Sequence, residues 1–467
     1  MRDEEISRQA DRISLFAGLI FIAHPVQVEA VTYISQRSAS MATLFYVASL
    51  CFYIKSRSAQ TEIPHSVVGR IYYAGALTTA VIAMFTKETA ITLPLMILLY
   101  EISFLKTDTK PNWKYLAPFL ATLIIVPLGT DFTKSVKFHL LLGEPEMSSM
   151  QYFLTQFRVM ITYIRLVFLP FCQNLDYDYH IFKDILEAPV MVSVLFLATI
   201  LFSVKCLFTK YRLIAFSILW FFLTLLPESS IFPIKDVIFE HRLYLPMVGF
   251  SLFLVSGIYY IWGKNSSTGM TAILCLIVLS YSVMTYQRNI IWKDDQSLWD
   301  DTVRKSPYKA RPYINRGISY CRLGELDRSW KDLNKGIGIN PNFAISYFYR
   351  GLIYEKQGRP IQALIEFSKA ITIEPRNPLA YYKRCFIYKS TGDIPRCLSD
   401  LYKINEIDPQ DTMAYDFRGI VFIEQGKLIQ AIAEFNKSID IDPNDRDAYK
   451  YRARAYSLLE RSNRSGS

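Results

Sequence analysis

Soluble nucleotide and hydrolase chemistry leave no mark on this chain. It carries no GxGxxG, no P-loop, no HExxH helix and no nucleophile elbow, so those enzyme classes find no support. Its seven cysteines (Cys51, Cys172, Cys206, Cys275, Cys321, Cys385 and Cys397) form no CxxC and no metal-ligand spacing, and neither a metal nor a cofactor is called for. Cys385 and Cys397 can meet across the two helices of one repeat, which leaves the redox compartment open. The start MRDEEISRQADR, with Asp3, Glu4 and Glu5, is too polar for a cleavable signal peptide. Charge is scarce from about residue 13 to residue 286 and crowds into the last third. The net charge of +10 is explained by that uneven placement, not by a nucleic-acid partner.

What is present begins with a ruler. Pro307, Pro341, Pro375, Pro409 and Pro443 stand 34 residues apart, as do Gly324, Gly358, Gly392 and Gly426. A tyrosine column (Tyr313, Tyr347, Tyr381, Tyr415, Tyr449) and an arginine column (Arg316, Arg350, Arg384, Arg418, Arg452) keep the same step. That period and punctuation predict a tetratricopeptide (TPR) array over 307–460, four helix pairs and a terminal helix, with 461–467 a disordered tail. One repeat cannot bury its own apolar face, so stacking supplies the core and its curvature a groove for a protein or peptide. Within it, Arg316, Arg350, Arg384 and Arg418 are candidate ligand contacts. Equally, their long stems can brace neighbouring repeats.

Upstream, apolar runs near 13–23, 39–54, 71–85, 90–105, 115–129, 190–204, 214–226, 247–262 and 270–286 predict about nine spans of a lipid bilayer. Segment 152–170 carries Arg158 and Arg165, which are costly at mid-membrane, so it is expected at the interface or re-entrant. A cytoplasmic start places Arg2, Arg8, Arg12, Lys55, Arg57, Arg70, Lys106, Lys110, Lys114, Lys205, Lys210, Arg212 and Lys264 on one side. The other side receives only Arg37, Lys87, Lys235 and Arg242. This bias orients the N-terminus to the cytoplasm and the array outside it, in a plasma membrane, or an inner membrane if the source is bacterial. A crossing by 152–170 would invert the later loops. The expected fold is all-α: a multi-span domain over 1–286, a connecting helix over 287–306, and the array.

This topology gathers four polar segments at one membrane face. HPVQVEAVTYI holds His24 and Glu29, and TKET holds Lys87 and Glu88. LDYDYH holds Asp176 and Asp178, carboxylates among aromatic faces suited to a sugar or a cation. FEHRLYLP holds Glu240, His241, Arg242 and Tyr244; its guanidinium fork suits a phosphate or pyrophosphate. Each segment also admits a plain reading, as helix break, turn, surface loop or juxtamembrane anchor.

HPVQVEAVTYISQRS, TKETAITLP, YFLTQFRVMITYIRLVFLP with NLDYDY, and FEHRLYLP, followed by TPRs, resemble the tetratricopeptide-repeat transmembrane O-mannosyltransferases and their bacterial relatives, of the GT-C glycosyltransferase class. The resemblance implies transfer of a sugar from a polyprenyl-phosphate donor to a protein Ser or Thr on the extracytoplasmic side. It also implies a carboxylate base in the first outside loop after an initial span. This sequence starts just before HPVQVEAV, and Asp3, Glu4 and Glu5 fall on the cytoplasmic side, so the substitutes for that base are Glu29, Asp176 and Asp178. The alternative is a non-catalytic, membrane-anchored TPR scaffold.

Overall fold

The computed structural model describes residues 9–63, 66–105, 113–126, 147–234, 236–262 and 267–465. Outside them lie Arg2, Asp3, Glu4, Glu5, Arg8, Lys106, Lys110, Lys235 and Lys264, and residues 127–129 of the fifth expected span. The described residues are helical with no strand, and the chain divides into two compact units, Met1–Ser306 and Pro307–Ser467.

The first unit contains α1 (Ala10–Ala23), α2 (Val28–Thr32), α3 (Arg37–Glu62), α4 (Val67–Thr86), α5 (Leu93–Phe104) and α6 (Trp113–Ala121). It continues with α7 (Ser149–Phe168), α8 (Ala188–Lys210), α9 (Arg212–Leu225), α10 (Pro246–Trp262), α11 (Ser267–Ile291) and α12 (Asp295–Lys305). Among the described residues, four helices are long and apolar enough to cross a membrane: Ile34–Glu62, Val67–Thr86, Ala188–Lys210 and Thr268–Ile291. A fifth is available if α1 and the Pro25–Thr32 helix, bent by 54°, form one broken span. The other expected spans fall on shorter helices, 12 residues in α5, 9 in α6, 14 in α9 and 17 in α10. Sequence hydropathy marked where those runs are apolar but not where each helix ends, and Pro118 lies inside the short α6.

Small side chains let the first two long helices close on each other. Ser49 Oγ donates to the Ala76 carbonyl and Ser56 Oγ to that of Gly69, both at 2.7 Å, with Ala76, Ala80 and Ala83 buried between them. Such contacts are how helices associate where lipid, not water, is the competing solvent. Gly249 meets α9 so tightly that an added Cβ would lie 2.7 Å from the Ser217 carbonyl oxygen. One buried charge is shared between helices: Glu101 accepts from Tyr53 (2.6 Å) and from Arg57 Nε (2.7 Å). The last apolar run does not stop near 286. It continues as α11 to Ile291, and Asp294 then caps α12 by accepting from Ser297 N at 2.8 Å.

The second unit is the expected stack. Helix pairs α13/α14 (Ala310–Leu323, Leu326–Ile339), α15/α16 (Ala344–Lys356, Pro360–Ile373), α17/α18 (Pro378–Ser390, Ile394–Ile407) and α19/α20 (Thr412–Glu424, Leu428–Ile441) precede α21 (Arg446–Ser465). The helix continues through 461–465 of the expected disordered tail, because a solvated helix end needs no apolar face to add one more turn. Gly324, Gly358, Gly392 and Gly426 close each first helix with φ between 68° and 83°. In that left-handed conformation the next amide donates five residues back, Glu325 to Tyr320 and Arg359 to Tyr354, both at 2.9 Å.

The arginine column stitches repeats together. Arg316 grips Asp332 with Nε (2.6 Å) and Nη2 (2.8 Å), Arg384 grips Asp400 in the same way (2.9 and 2.6 Å), Arg350 reaches Glu366 (2.8 Å) and Arg418 reaches Glu434 (3.0 Å). Each acid lies 16 residues after its arginine, on the second helix of the same pair. A spare Nη1 then reaches back to the preceding repeat: Arg350 to Asn334 (2.9 Å), Arg384 to Ser368 (3.0 Å), Arg452 to Asn436 (2.7 Å). Arg418 reaches back in the same way, its Nη1 donating to Asn405 Oδ1 (2.6 Å), and it also lies 4.3 Å over the Tyr402 ring.

Two outcomes follow for the full chain in detergent. Arg384→Ala leaves Asp400 buried without its partner and is expected to cost about 3 kcal/mol in denaturant unfolding; an unchanged midpoint would refute the bracing role. Asp416 has no hydrogen-bond partner at Oδ1, and burial, with Asp445 and Asp447 nearby, raises its carboxyl to about 7. The folded chain thus holds that proton more tightly than the unfolded one. The associated stability is full below about pH 4 and is lost as pH rises through 7. Asp416→Asn should therefore raise the melting temperature at pH 8 and leave it nearly unchanged at pH 4.

Candidate functional site

The four polar segments named from the sequence converge on one loop, residues 227–245, between α9 and α10. The loop carries an acid, Glu228, near its start and Glu240, His241 and Arg242 near its end, and the other segments bring partners.

The first junction is made by Glu29 on α2. Its Oε2 accepts the backbone amides of Glu240 (3.1 Å) and His241 (3.3 Å), and its Oε1 lies 2.7 Å from His241 Nδ1. The Glu240–Leu243 turn thereby receives at its start the anion that unpaired helical amides favour. His24 serves a different purpose. Its Nδ1 accepts from Val26 N (3.2 Å), so Nε2 carries the proton and donates to the Val167 carbonyl (3.0 Å). The fully buried ring thus ties the break after α1 to α7.

The second junction holds Lys87, Glu228 and Arg242. Lys87 Nζ is 3.1 Å from Glu228 Oε1, while Glu228 Oε2 faces Arg242 Nε at 3.9 Å and has no hydrogen-bond partner. The guanidinium also donates to the carbonyls of Val237 (3.1 Å) and Asp236 (2.9 Å). Burial raises the Glu228 carboxyl, but Lys87 and Arg242 outweigh it and hold the group below the usual carboxylate range. Tyr152 and Tyr163 of α7 donate to the Glu228 and Phe239 carbonyls at 2.5 and 3.1 Å, and Gln156 donates to that of Val237 at 3.0 Å. A small cavity sits here, its lining including Lys87, Thr89, Glu228, His241, Arg242 and Tyr244. Glu88 is exposed beside this cluster.

The third junction gathers on Glu240. Its carboxylate accepts from Asn174 N and Tyr177 OH (both 2.6 Å) and from Gln173 Nε2 (2.9 Å), and Arg288 Nη2 lies 4.0 Å away. Burial raises the Glu240 carboxyl above its ordinary value, against the pull of Arg288. Arg288, at the end of α11, pairs with Asp301 of α12 (3.1 Å), and Lys305 joins Asp301 (2.6 Å) to the Gln173 carbonyl (2.7 Å). Asp176 is buried in this segment and Asp178 is exposed.

Sequence reasoning did not name Glu228, Arg288, Asp301, Tyr152, Tyr163, Gln173 or Asn174. A signal existed for two of them: an arginine in the last turn of an apolar helix calls for an acid nearby, and Asp301 lies 13 residues on. Among the described residues no group of three or more His, Cys, Asp or Glu side chains is placed to hold a metal ion.

An apolar cavity of about 340 Å³ lies between α7, α8, α9 and α10, walled by Ile164, Phe196, Ile200, Phe221 and Phe253 among others. Helix α9 borders both spaces, with Phe221 in the apolar cavity and Thr224 at the polar one.

Because Glu228 is almost fully buried, Lys87→Met is expected to destabilise the membrane unit by about 3 kcal/mol, and the double variant Lys87→Met/Glu228→Gln to recover most of it. Thermal unfolding in nanodiscs measures both. A double variant no better than the single one would show that the two residues are not coupled.

Comparison with known proteins bears on both units. Residues 344–377 match a family model described as tetratricopeptide repeat, and residues 414–445 match another of the same description. The chain is 22% identical over 371 residues to Protein O-mannosyl-transferase TMTC3 of Homo sapiens, covering 71% of this chain and 40% of that protein. It is 23% identical over 376 residues to Protein O-mannosyl-transferase Tmtc3 of Drosophila melanogaster, covering 69% and 40%. Drosophila Tmtc2 is 31% identical over a shorter stretch of 125 residues, 26% of this chain and 13% of that one. The chain thus spans about two fifths of the length of the first two relatives. Among solved structures, MamA matches at 20% identity and TM-score 0.29, covering 31% of this chain and 85% of that one. YrrB, described as a TPR protein with an unusual peptide-binding site, matches at 16% identity and TM-score 0.30, covering 43% and 97%. The motif resemblance therefore stands: this all-helical chain, with its apolar helices and TPR repeats, is a homologue of proteins named protein O-mannosyl-transferases.

Proposed function

We propose that this chain is a GT-C-like membrane glycosyltransferase that takes mannose from a polyprenyl-phosphate donor and passes it to a protein Ser or Thr hydroxyl on the extracytoplasmic side. The observation that carries the reading is the convergence on residues 227–245 of the same segments that resemble the O-mannosyltransferases. At that point two permanent cations, Lys87 and Arg242, surround one carboxylate, Glu228, in a cavity lined with hydroxyls. An excess of positive charge inside a low-dielectric wall favours a phosphate. The apolar cavity along α9 has the chemistry for the start of an isoprenoid tail. The relatives' name supplies the sugar and the protein acceptor. The array, a fold that binds peptides and proteins, is the acceptor-holding part, and the lysine and arginine bias supports its extracytoplasmic side.

In such a transfer the acceptor oxygen attacks the anomeric carbon, the carbon–oxygen bond to phosphate breaks, and a carboxylate takes the hydroxyl proton. Of the three candidate bases, both oxygens of Glu29 are engaged and Asp176 is buried, which leaves Asp178 exposed. The engagement of Glu29, Glu228 and Glu240 also favours a second reading, a repeat scaffold anchored in the membrane without catalysis.

The full chain in nanodiscs, with radiolabelled polyprenyl-phosphate mannose and a Ser/Thr-rich acceptor peptide, tests both. Saturable donor binding is expected, weakened about tenfold when Lys87→Met is placed in the Glu228→Gln background, which spares the fold. Binding unchanged by that double variant and by Arg242→Gln would end the donor-site proposal. Donor binding with no sugar transferred would select the scaffold.

A further inference from the structure

The four helix pairs of the array share one tight seam, where a residue of the first helix faces one twelve positions on in the second. The facing residues are Gly317 with Ser329, Gly351 with Ala363, Cys385 with Cys397, and Gly419 with Ala431. Ser329, Ala363, Cys397 and Ala431 are all fully buried. Glycine stands at the first position for a steric reason. A Cβ at Gly351 would lie 2.6 Å from the Phe367 ring, and one at Gly419 would lie 2.5 Å from that of Phe435.

The third repeat departs at both facing positions, and also at the residue that fills the seam. Leu401 occupies the column of Phe367 and Phe435, and without a ring it leaves space for a side chain on the opposite helix. Leucine alone does not call for cysteine, because the first repeat pairs Leu333 with Gly317. A single cysteine would be explained as a small apolar filler. Two of them facing each other at the closest approach of the helices are not. Cys385 and Cys397 are both fully buried and joined as a disulfide. Their Cα atoms are 4.1 Å apart, well inside the roughly 7 Å beyond which bridging needs backbone movement. The other cysteines, Cys51, Cys172, Cys206, Cys275 and Cys321, are unbridged.

We propose that the Cys385–Cys397 bridge is a covalent staple replacing the glycine–alanine seam of the third repeat, and that the array accordingly matures in an oxidising compartment, away from cytosolic thiol reductants. The oxidant is a disulfide, that of a thiol–disulfide oxidoreductase or of oxidised glutathione. The thiolate of one cysteine attacks it, expels one thiol and forms a mixed disulfide; the second cysteine's thiolate then displaces the other thiol. Two protein thiols become one bridge, and the donor disulfide leaves as two thiols carrying the two protons. This inference stands on the repeat geometry and does not need the transferase reading, which donor binding tests separately.

Cells expressing the full chain are quenched with N-ethylmaleimide before lysis, and the protein is digested with trypsin without reductant. Cleavage after Arg384, Lys389, Arg396 and Lys403 isolates CFIYK and CLSDLYK. The expected product is the linked pair, converted to two free peptides by reduction, while Cys321 is recovered as the maleimide adduct. Recovery of CFIYK and CLSDLYK as separate adducts would overturn the proposal. As a second arm, reduction should lower the melting temperature of the wild-type array by several degrees and leave Cys385→Gly/Cys397→Ala unmoved. A wild-type transition indifferent to reductant would show that the bridge is no staple.

Discussion

The architecture of the membrane unit depends on the engagement of its buried charges. An ionised side chain removed from water costs several kcal/mol unless opposite charge and hydrogen bonds replace the water it lost. Residues 227–245 carry Glu228, Glu240, His241 and Arg242, all four of them buried, so the loop is stable only where other segments complete it. Glu29 completes it at the backbone amides of Glu240 and His241, Lys87 at Glu228, and the 173–177 segment with Arg288 at Glu240. Four stretches of chain, as much as 212 residues apart, are thereby held at one place.

The repeat unit answers the same constraint in another solvent. Its arginines run beside a column of tyrosines, and each of Arg316, Arg350, Arg384 and Arg418 finds a carboxylate 16 residues on. Because the repeat is 34 residues long, one substitution pattern solves the problem once per repeat, and a spare donor of Arg350, Arg384 and Arg418 carries a bond back to the preceding repeat. The array is therefore cooperative through polar contacts as well as through Phe367 and Phe435 packed against glycine.

Legibility differed between the two units for a physical reason. In the array, period carries the structure: proline ends each second helix, glycine each first, and the spacing alone places the pairs. In the membrane unit, hydropathy marks apolar runs without saying where each helix starts and stops, since lipid-facing and protein-facing residues are alike apolar. Helix α7 illustrates the gap. Its Arg158 and Arg165 drew attention to the interface, whereas Tyr152, Gln156 and Tyr163, unremarkable in sequence, are the groups that hold the 227–245 loop. The convergence of HPVQVE, TKET, LDYDY and FEHR could be inferred from topology, but the pairing of Lys87 with Glu228 could not.

Sequence by itself determined the all-helical class, the 34-residue stack, the apolar character of the front half and the segments that carry its polar chemistry. Those properties are local or periodic, and a single chain of letters displays them. Tertiary structure alone decided which acid answers which base, that Glu29 and Glu240 are engaged while Asp178 is exposed, and that Cys385 and Cys397 are joined. Those are matters of distance in space, set when buried charges and close-packed helices find partners that sequence separation does not reveal.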